Sequence, residues 1–165
     1  MSSKKNKKAK GAPSPEITTN RKARRDYLIE TSFEAGIELV GTEVKSIREK
    51  RVNVADSFAR IEGEQCFLYG CDIQPWQTAG EWCQHAPKRP RRLLLHKREI
   101  RELAVESQQK GYSIVALSLY WKGNRVKVEI GLAKGKNQVD QRQDLKARVE
   151  LMEAKREMAR FNKGH

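Results

Sequence analysis

No stretch of this chain approaches the roughly twenty consecutive apolar residues that a membrane span needs. The basic run within Met1–Ser14 has no apolar segment after it, so neither a spanning helix nor a secretory leader is expected, and the expectation is a cytoplasmic protein with no membrane partner. Cysteine is scarce. Cys66, Cys71 and Cys83 are odd in number and lack metal-type pairing, and Cys83-Gln84-His85 alone falls short of four zinc ligands. They read as reduced filler, with a metal site as the alternative. Catalytic signatures are missing too: His85, His96 and His165 stand apart from any serine or cysteine nucleophile motif. Gly131-Leu132-Ala133-Lys134-Gly135-Lys136 looks like a phosphate loop, but it is one residue short and is followed by Asn137, so a turn at a strand exit is the better reading. Binding without catalysis, cofactor or metal is the expectation.

What the chain has in excess is positive charge, and it lies at the ends. Of the net +13, residues 1–25 hold nine Lys or Arg against one acid, and residues 134–165 hold nine against five. The body between them carries sixteen basic and fifteen acidic side chains. Like charges crowded into short segments repel, and they usually persist where a polyanion compensates them. Nucleic acid is the obvious polyanion.

Ser2–Pro15 is Lys, Ser, Ala, Gly and Pro without apolar periodicity, which predicts disorder. From Tyr27 to Leu39 apolar residues hold one parity, the period of a half-buried strand, with Gly36 placed to let it bend. Val44–Lys50 fits a short helix. Ser57–Ile61 and Gln65–Ile73 flank Glu62-Gly63-Glu64 as a hairpin. Pro75–Pro90, with three prolines and the isolated Trp76 and Trp82, reads as a long loop, and Arg91–Leu95 returns to strand. His96–Lys110 predicts a helix ending at Gly111. Tyr112–Trp121 and Val126–Leu132 around Gly123-Asn124 form a second hairpin. Five or six antiparallel strands with an interposed helix point to a mainly β domain with two to three helices, an antiparallel β-barrel of the oligonucleotide-binding (OB) kind. A thin apolar stripe from Asp144 to Arg160 predicts a tail that is marginal when free and helical when ordered.

Binding chemistry gathers in basic clusters: Asn20–Arg25 at the entrance to the first long strand, Lys88–Arg92 at the loop exit, and Lys97, Arg98 and Arg101 on the helix. Each alone is ordinary surface charge; three beside sparse acids suit backbone phosphates. Trp76 and Trp82 are either stacking surfaces for unpaired bases or loop anchors.

In order along the chain stand Asn20-Arg21-Lys22-Ala23-Arg24, Phe33-Glu34-Ala35-Gly36-Ile37 and Gly41-Thr42-Glu43-Val44-Lys45-Ser46. They are followed by Pro90-Arg91-Arg92-Leu93-Leu94-Leu95 with Lys97-Arg98-Glu99, then Gly111-Tyr112, and Val126 through Lys136. This series closely resembles the SsrA-binding (small protein B) family from about Asn20 through Lys136, and more loosely to the end. The resemblance implies a non-enzymatic partner of transfer-messenger RNA (tmRNA) in ribosome rescue. In it, an OB-like barrel grips the tRNA-like domain, and elongation factor Tu delivers the charged RNA to a stalled ribosome. It implies RNA contacts at Glu34, Leu94 and Lys127 and at Asn20, Arg21, Lys22 and Arg24, and it matches Lys134, Gly135 and Lys136 to the loop that leads into the tail; Lys45, Arg91, Arg92, Lys134 and Lys136 are further candidate RNA contacts. It further implies a tail in the decoding region and message channel, carried by Asp140, Arg142, Lys146, Arg148, Lys155 and Arg156. The family tail commonly reads a ring-bearing residue and then Asp-Lys-Arg; here Val139 precedes Asp140-Gln141-Arg142, so accommodation with altered details is expected. The implied organisation is a disordered basic arm (1–19), a barrel (20–136) and a basic tail (137–165). A constitutive ribosomal or ribosome-assembly protein is the alternative from another class.

Overall fold

The two-residue turn Gly123-Asn124 joins two of the three eleven-residue strands, and it works because glycine holds φ at +62°, a conformation costly for other residues. The structure, a computed structural model, describes residues 15–136 and 138–161. Its strands are β1 (Glu16–Thr19), β2 (Tyr27–Ile37), β3 (Val52–Asn53), β4 (Phe58–Glu62), β5 (Gln65–Tyr69), β6 (Asp72–Ile73), β7 (Arg91–Leu94), β8 (Tyr112–Lys122) and β9 (Arg125–Gly135). The helices are α1 (Arg21–Asp26), α2 (Gly41–Arg48), α3 (Lys97–Ser107) and α4 (Gln138–Phe161).

Antiparallel pairing runs β8–β4–β5–β7–β2–β9, and β9 pairs back onto β8, so six strands close a ring. The closed barrel of the OB-like reading is thus present. Closure removes the unpaired edges that an open sheet of this kind would expose. β1 pairs with Ser118–Tyr120 of β8, while β3 and β6 form a separate two-stranded ribbon.

Alternation decides what faces inward. Val126, Val128, Ile130 and Leu132 of β9, Phe33, Ala35 and Ile37 of β2, and Ile114, Ala116 and Leu119 of β8 meet in one buried core with Ile47 from α2 and Leu103 from α3. A bulge between Ala116 and Ser118 shifts the register of β8 against β9. The apolar run Tyr112–Trp121 is apolar on both faces for a reason: Val115 and Leu117 pack outside the barrel with Ala23 of α1 and Ala133 of β9.

Four expectations need correction. The arm does not extend to residue 19, because Glu16–Thr19 pairs as β1; residues 1–14 lie outside the described residues. The cluster Arg21–Asp26, at the entrance to β2 as expected, is itself a helix nucleated by the Asn20 cap, which makes four α-helices among the described residues where two to three were expected. Gly131–Gly135 is not a turn but the end of β9, paired with Tyr27–Ser32 of β2. α3 stops at Ser107, with Gly111 (φ +91°) placed in the turn before β8. Among the described residues no helix is long and apolar enough to cross a membrane.

Candidate nucleic-acid interface

Asn20 is buried and fully engaged. Its Oδ1 accepts from the Ala23 N–H at 2.9 Å, and its Nδ2 donates to the carbonyls of Val54 and Ala116 at 2.9 Å each. Its own N–H donates to Leu117 O at 2.7 Å. One amide thus caps α1 and bolts it to two segments of the barrel. With Ala23 turned inward, Arg21, Lys22, Arg24 and Arg25 face solvent. Asn20 is therefore corrected from an RNA contact to the residue that positions those cations.

α1 lies over the outer face of β8 and β9, and that face carries the acidic and basic residues singled out above. Arg24 pairs with Glu129 at 3.5 Å, and the Ser118 hydroxyl donates to the same carboxylate at 3.0 Å. Glu129 stands opposite Glu34 in the β2–β9 ladder. The Tyr120 hydroxyl donates to Glu34 at 2.6 Å and the Lys122 ammonium at 2.7 Å. These two bonds, Lys122 first, hold the Glu34 carboxyl below its usual range, with Lys127 adding to the effect. Burial first, and Glu34 second, push the Tyr120 phenol well above its ordinary range, so it remains a donor at any physiological pH. The carboxylate is thus ionised, and held in place by two donors.

Leu94 and Lys127 join this face through Gly36. Gly36 pairs with Leu94 on one side and Lys127 on the other. A Cβ at Gly36 would sit 3.2 Å from the Leu94 Cβ, so glycine is what lets the half-exposed Leu94 (51%) lie across β2. Arg92 is exposed on β7, two residues before Leu94. Lys134 is exposed at the far end of β9, its ammonium 5.7 Å from the Tyr112 ring centroid. Lys136 follows, its N–H donating to Asp26 O at 3.0 Å. Lys45 projects to solvent from α2, an element that packs against β6.

Arg91 is the second correction. Its side chain is fully buried, with Nη2 at 2.8 Å from Glu43 and Nη1 donating to Cys71 O at 2.6 Å. Arg89 reaches the other Glu43 oxygen at 2.7 Å. Reaching RNA would leave the Glu43 charge buried with one partner fewer. Arg91 holds the loop exit to α2 instead.

Tyr120 and Lys122 were not singled out in the sequence, because only the strand register shows that they meet Glu34 from 86 and 88 residues away. A hydroxyl and an ammonium at the end of a largely apolar strand were the available signal. Cys66 and Cys71 are buried, and burial pushes both thiols up to about 11; Cys83 is exposed. His85 is buried, 3.0 Å from Ile73 O and 2.9 Å from the Thr42 hydroxyl. Among the described residues no group of His, Cys, Asp and Glu is arranged to hold a metal. In the tail, Lys146, Arg148, Lys155 and Arg156 are exposed on α4. Asp140 and Arg142 lie on the same helix, and their side chains are outside the described set.

The model of the SmpB protein family matches residues 17–160. The chain belongs to that family. The SsrA-binding protein of Corynebacterium diphtheriae is 48% identical over 160 residues, covering 97% of each chain. That of Thermobifida fusca is 47% identical over 156 residues, covering 94% of each. A solved structure described as "tmRNA-SmpB: a journey to the center of the bacterial ribosome" superposes with a TM-score of 0.62 at 44% identity. It covers 77% of this chain and 87% of its own. SmpB membership therefore spans the barrel, the α1 face and most of α4.

Proposed function

We propose that this chain binds tmRNA through the outer face built by α1, β2, β9 and β8, and works with that RNA on the ribosome. Family membership supplies the partners, and one observation carries the site. A clamped carboxylate, Glu34, sits among Tyr120, Lys122 and Lys127 on a wall overlain by the cations of α1. A carboxylate repels phosphate, so its place in a cationic wall is useful if it accepts from a base amino group or a ribose hydroxyl. The surrounding cations Arg21, Lys22, Arg24, Lys127 and Lys134 meet the backbone and set register. Leu94 adds an apolar contact beside Gly36. Lys136 leads into the tail, whose cations Arg142, Lys146, Arg148, Lys155 and Arg156 are assigned to the decoding region and message channel, with elongation factor Tu engaged only through the charged RNA. The reading is of a binder acting in the cytoplasm, not a catalyst.

Gel shift with a tRNA-like-domain transcript against bulk tRNA tests it. Selective binding is expected, with Glu34→Ala and Lys127→Ala each weakening it about tenfold. Equal affinity for both RNAs would remove the reading. Even distribution over all ribosomes in sedimentation, instead of enrichment on stalled ones, would favour a constitutive ribosomal role.

A further inference from the structure

The loop from Gln74 to Pro90 is tied down along its length, yet it holds one large apolar side chain in water. The Cys83 N–H donates to Gly80 O at 3.0 Å, closing a 3-10 turn over Glu81–Cys83. The Gln84 side chain accepts from the Trp76 N–H at 3.1 Å and donates to the Trp76 carbonyl, bracing the loop from within. Buried His85 bonds Ile73 O and the Thr42 hydroxyl, the Ile73 N–H donates to Pro87 O at 3.0 Å, and Arg91 donates to the same carbonyl at 2.9 Å. In this braced frame Trp82 is 99% exposed, while Trp76 is half-buried.

An indole in water forgoes the burial that makes tryptophan valuable in a fold. No other large apolar side chain of the described loop is strongly exposed, so the surface is a single aromatic plate. A protein partner gathers several apolar anchors over several hundred Å². Lys88 and Arg92, on the loop exit, are exposed and form no ion pair among the described residues. Glu81 is the loop's single acid. A lone plate with cations close by in the chain suits one unpaired base and its flanking phosphates.

We propose that Trp82 is a stacking plate for an unpaired nucleobase, a contact separate from the Glu34–Lys127 face. The proposal rests on the RNA-binding reading above, and two sources of the base are open, tmRNA itself and ribosomal RNA. Wild type, Trp82→Ala and Trp82→Phe are titrated against a tRNA-like-domain transcript and against isolated small ribosomal subunits. Trp82→Ala is expected to weaken binding about tenfold in one arm, which identifies the source, and Trp82→Phe to restore most of it. The slope of log affinity against log salt stays unchanged, because no phosphate contact is lost. The emission present in wild type and missing from Trp82→Phe is quenched on binding. Wild-type affinity of Trp82→Ala in both arms overturns the proposal. Weakened subunit binding without quenching assigns the indole to a ribosomal protein and overturns it as well. Failure of the wild type to bind either RNA overturns the RNA-binding reading itself.

Discussion

At Glu43 two arginines meet one carboxylate in the interior, and this contact shows what single residues contribute. Burial by itself raises the Glu43 pKa, but the Arg89 hydrogen bond, the Val40 N–H and Arg91 outweigh it and leave the carboxyl below its ordinary value. A depressed carboxylate adds stability that is present above its unfolded pKa, near 4, and is lost as pH falls through the lower folded value. Glu43→Gln leaves Arg91 buried without its counter-charge and is expected to cost about 3–5 kcal/mol at pH 7. In urea melts the gap from wild type should narrow as pH drops below about 4. A gap constant from pH 7 to pH 3 would contradict that account. Arg91 looked like a phosphate contact because Pro90-Arg91-Arg92 is a basic run; strand parity sends Arg91 inward and Arg92 outward, and only the buried acid explains why the inward arginine is tolerated.

Among the elements, α1 depends on its cap more than on its six residues, since a helix that short has little stability of its own. Asn20→Ala removes the cap and strands two buried carbonyls, with an expected loss of about 2–4 kcal/mol in thermal or urea unfolding. Asn20→Asp keeps the acceptor but cannot donate, so it should be no milder than Ala; a near-neutral Asp would show that the two donations are unimportant. α4 is the opposite case. Its described side chains from Leu145 to Ala159 are all exposed, with Leu145, Val149 and Met152 forming a narrow apolar stripe. The stripe was visible in the sequence from Asp144, whereas the helix begins at Gln138. Truncation after Lys136 should therefore leave the melting temperature and transcript binding nearly unchanged while abolishing enrichment on stalled ribosomes. Parallel loss of transcript binding and ribosome enrichment would show that the tail also serves the barrel.

For the whole molecule, closure of the β8–β4–β5–β7–β2–β9 ring makes one rigid wall on which α1 and Glu34 keep fixed spacing. Charge then acts collectively. With about six phosphate contacts, affinity for the transcript should fall about a thousandfold between about 50 and 200 mM salt. Lys127→Ala should lower the slope of log affinity against log salt by about one. An unchanged slope would place Lys127 away from phosphate.

Period-two patterning, turn glycines and the Lys and Arg runs are local properties, and from them the chain's sequence alone determined the two hairpins, the mainly β class and a polyanionic partner. Parity and composition persist whatever the strands pair with. Tertiary structure alone decided which strands met, because pairing depends on packing between residues far apart in the chain. It brought Tyr120 and Lys122 to Glu34, laid Leu94 across Gly36, buried Asn20 and Arg91 as scaffold, and left Trp82 in water. Burial and strand register exist only once the barrel has closed, and they separate the residues that hold the face from those that present it.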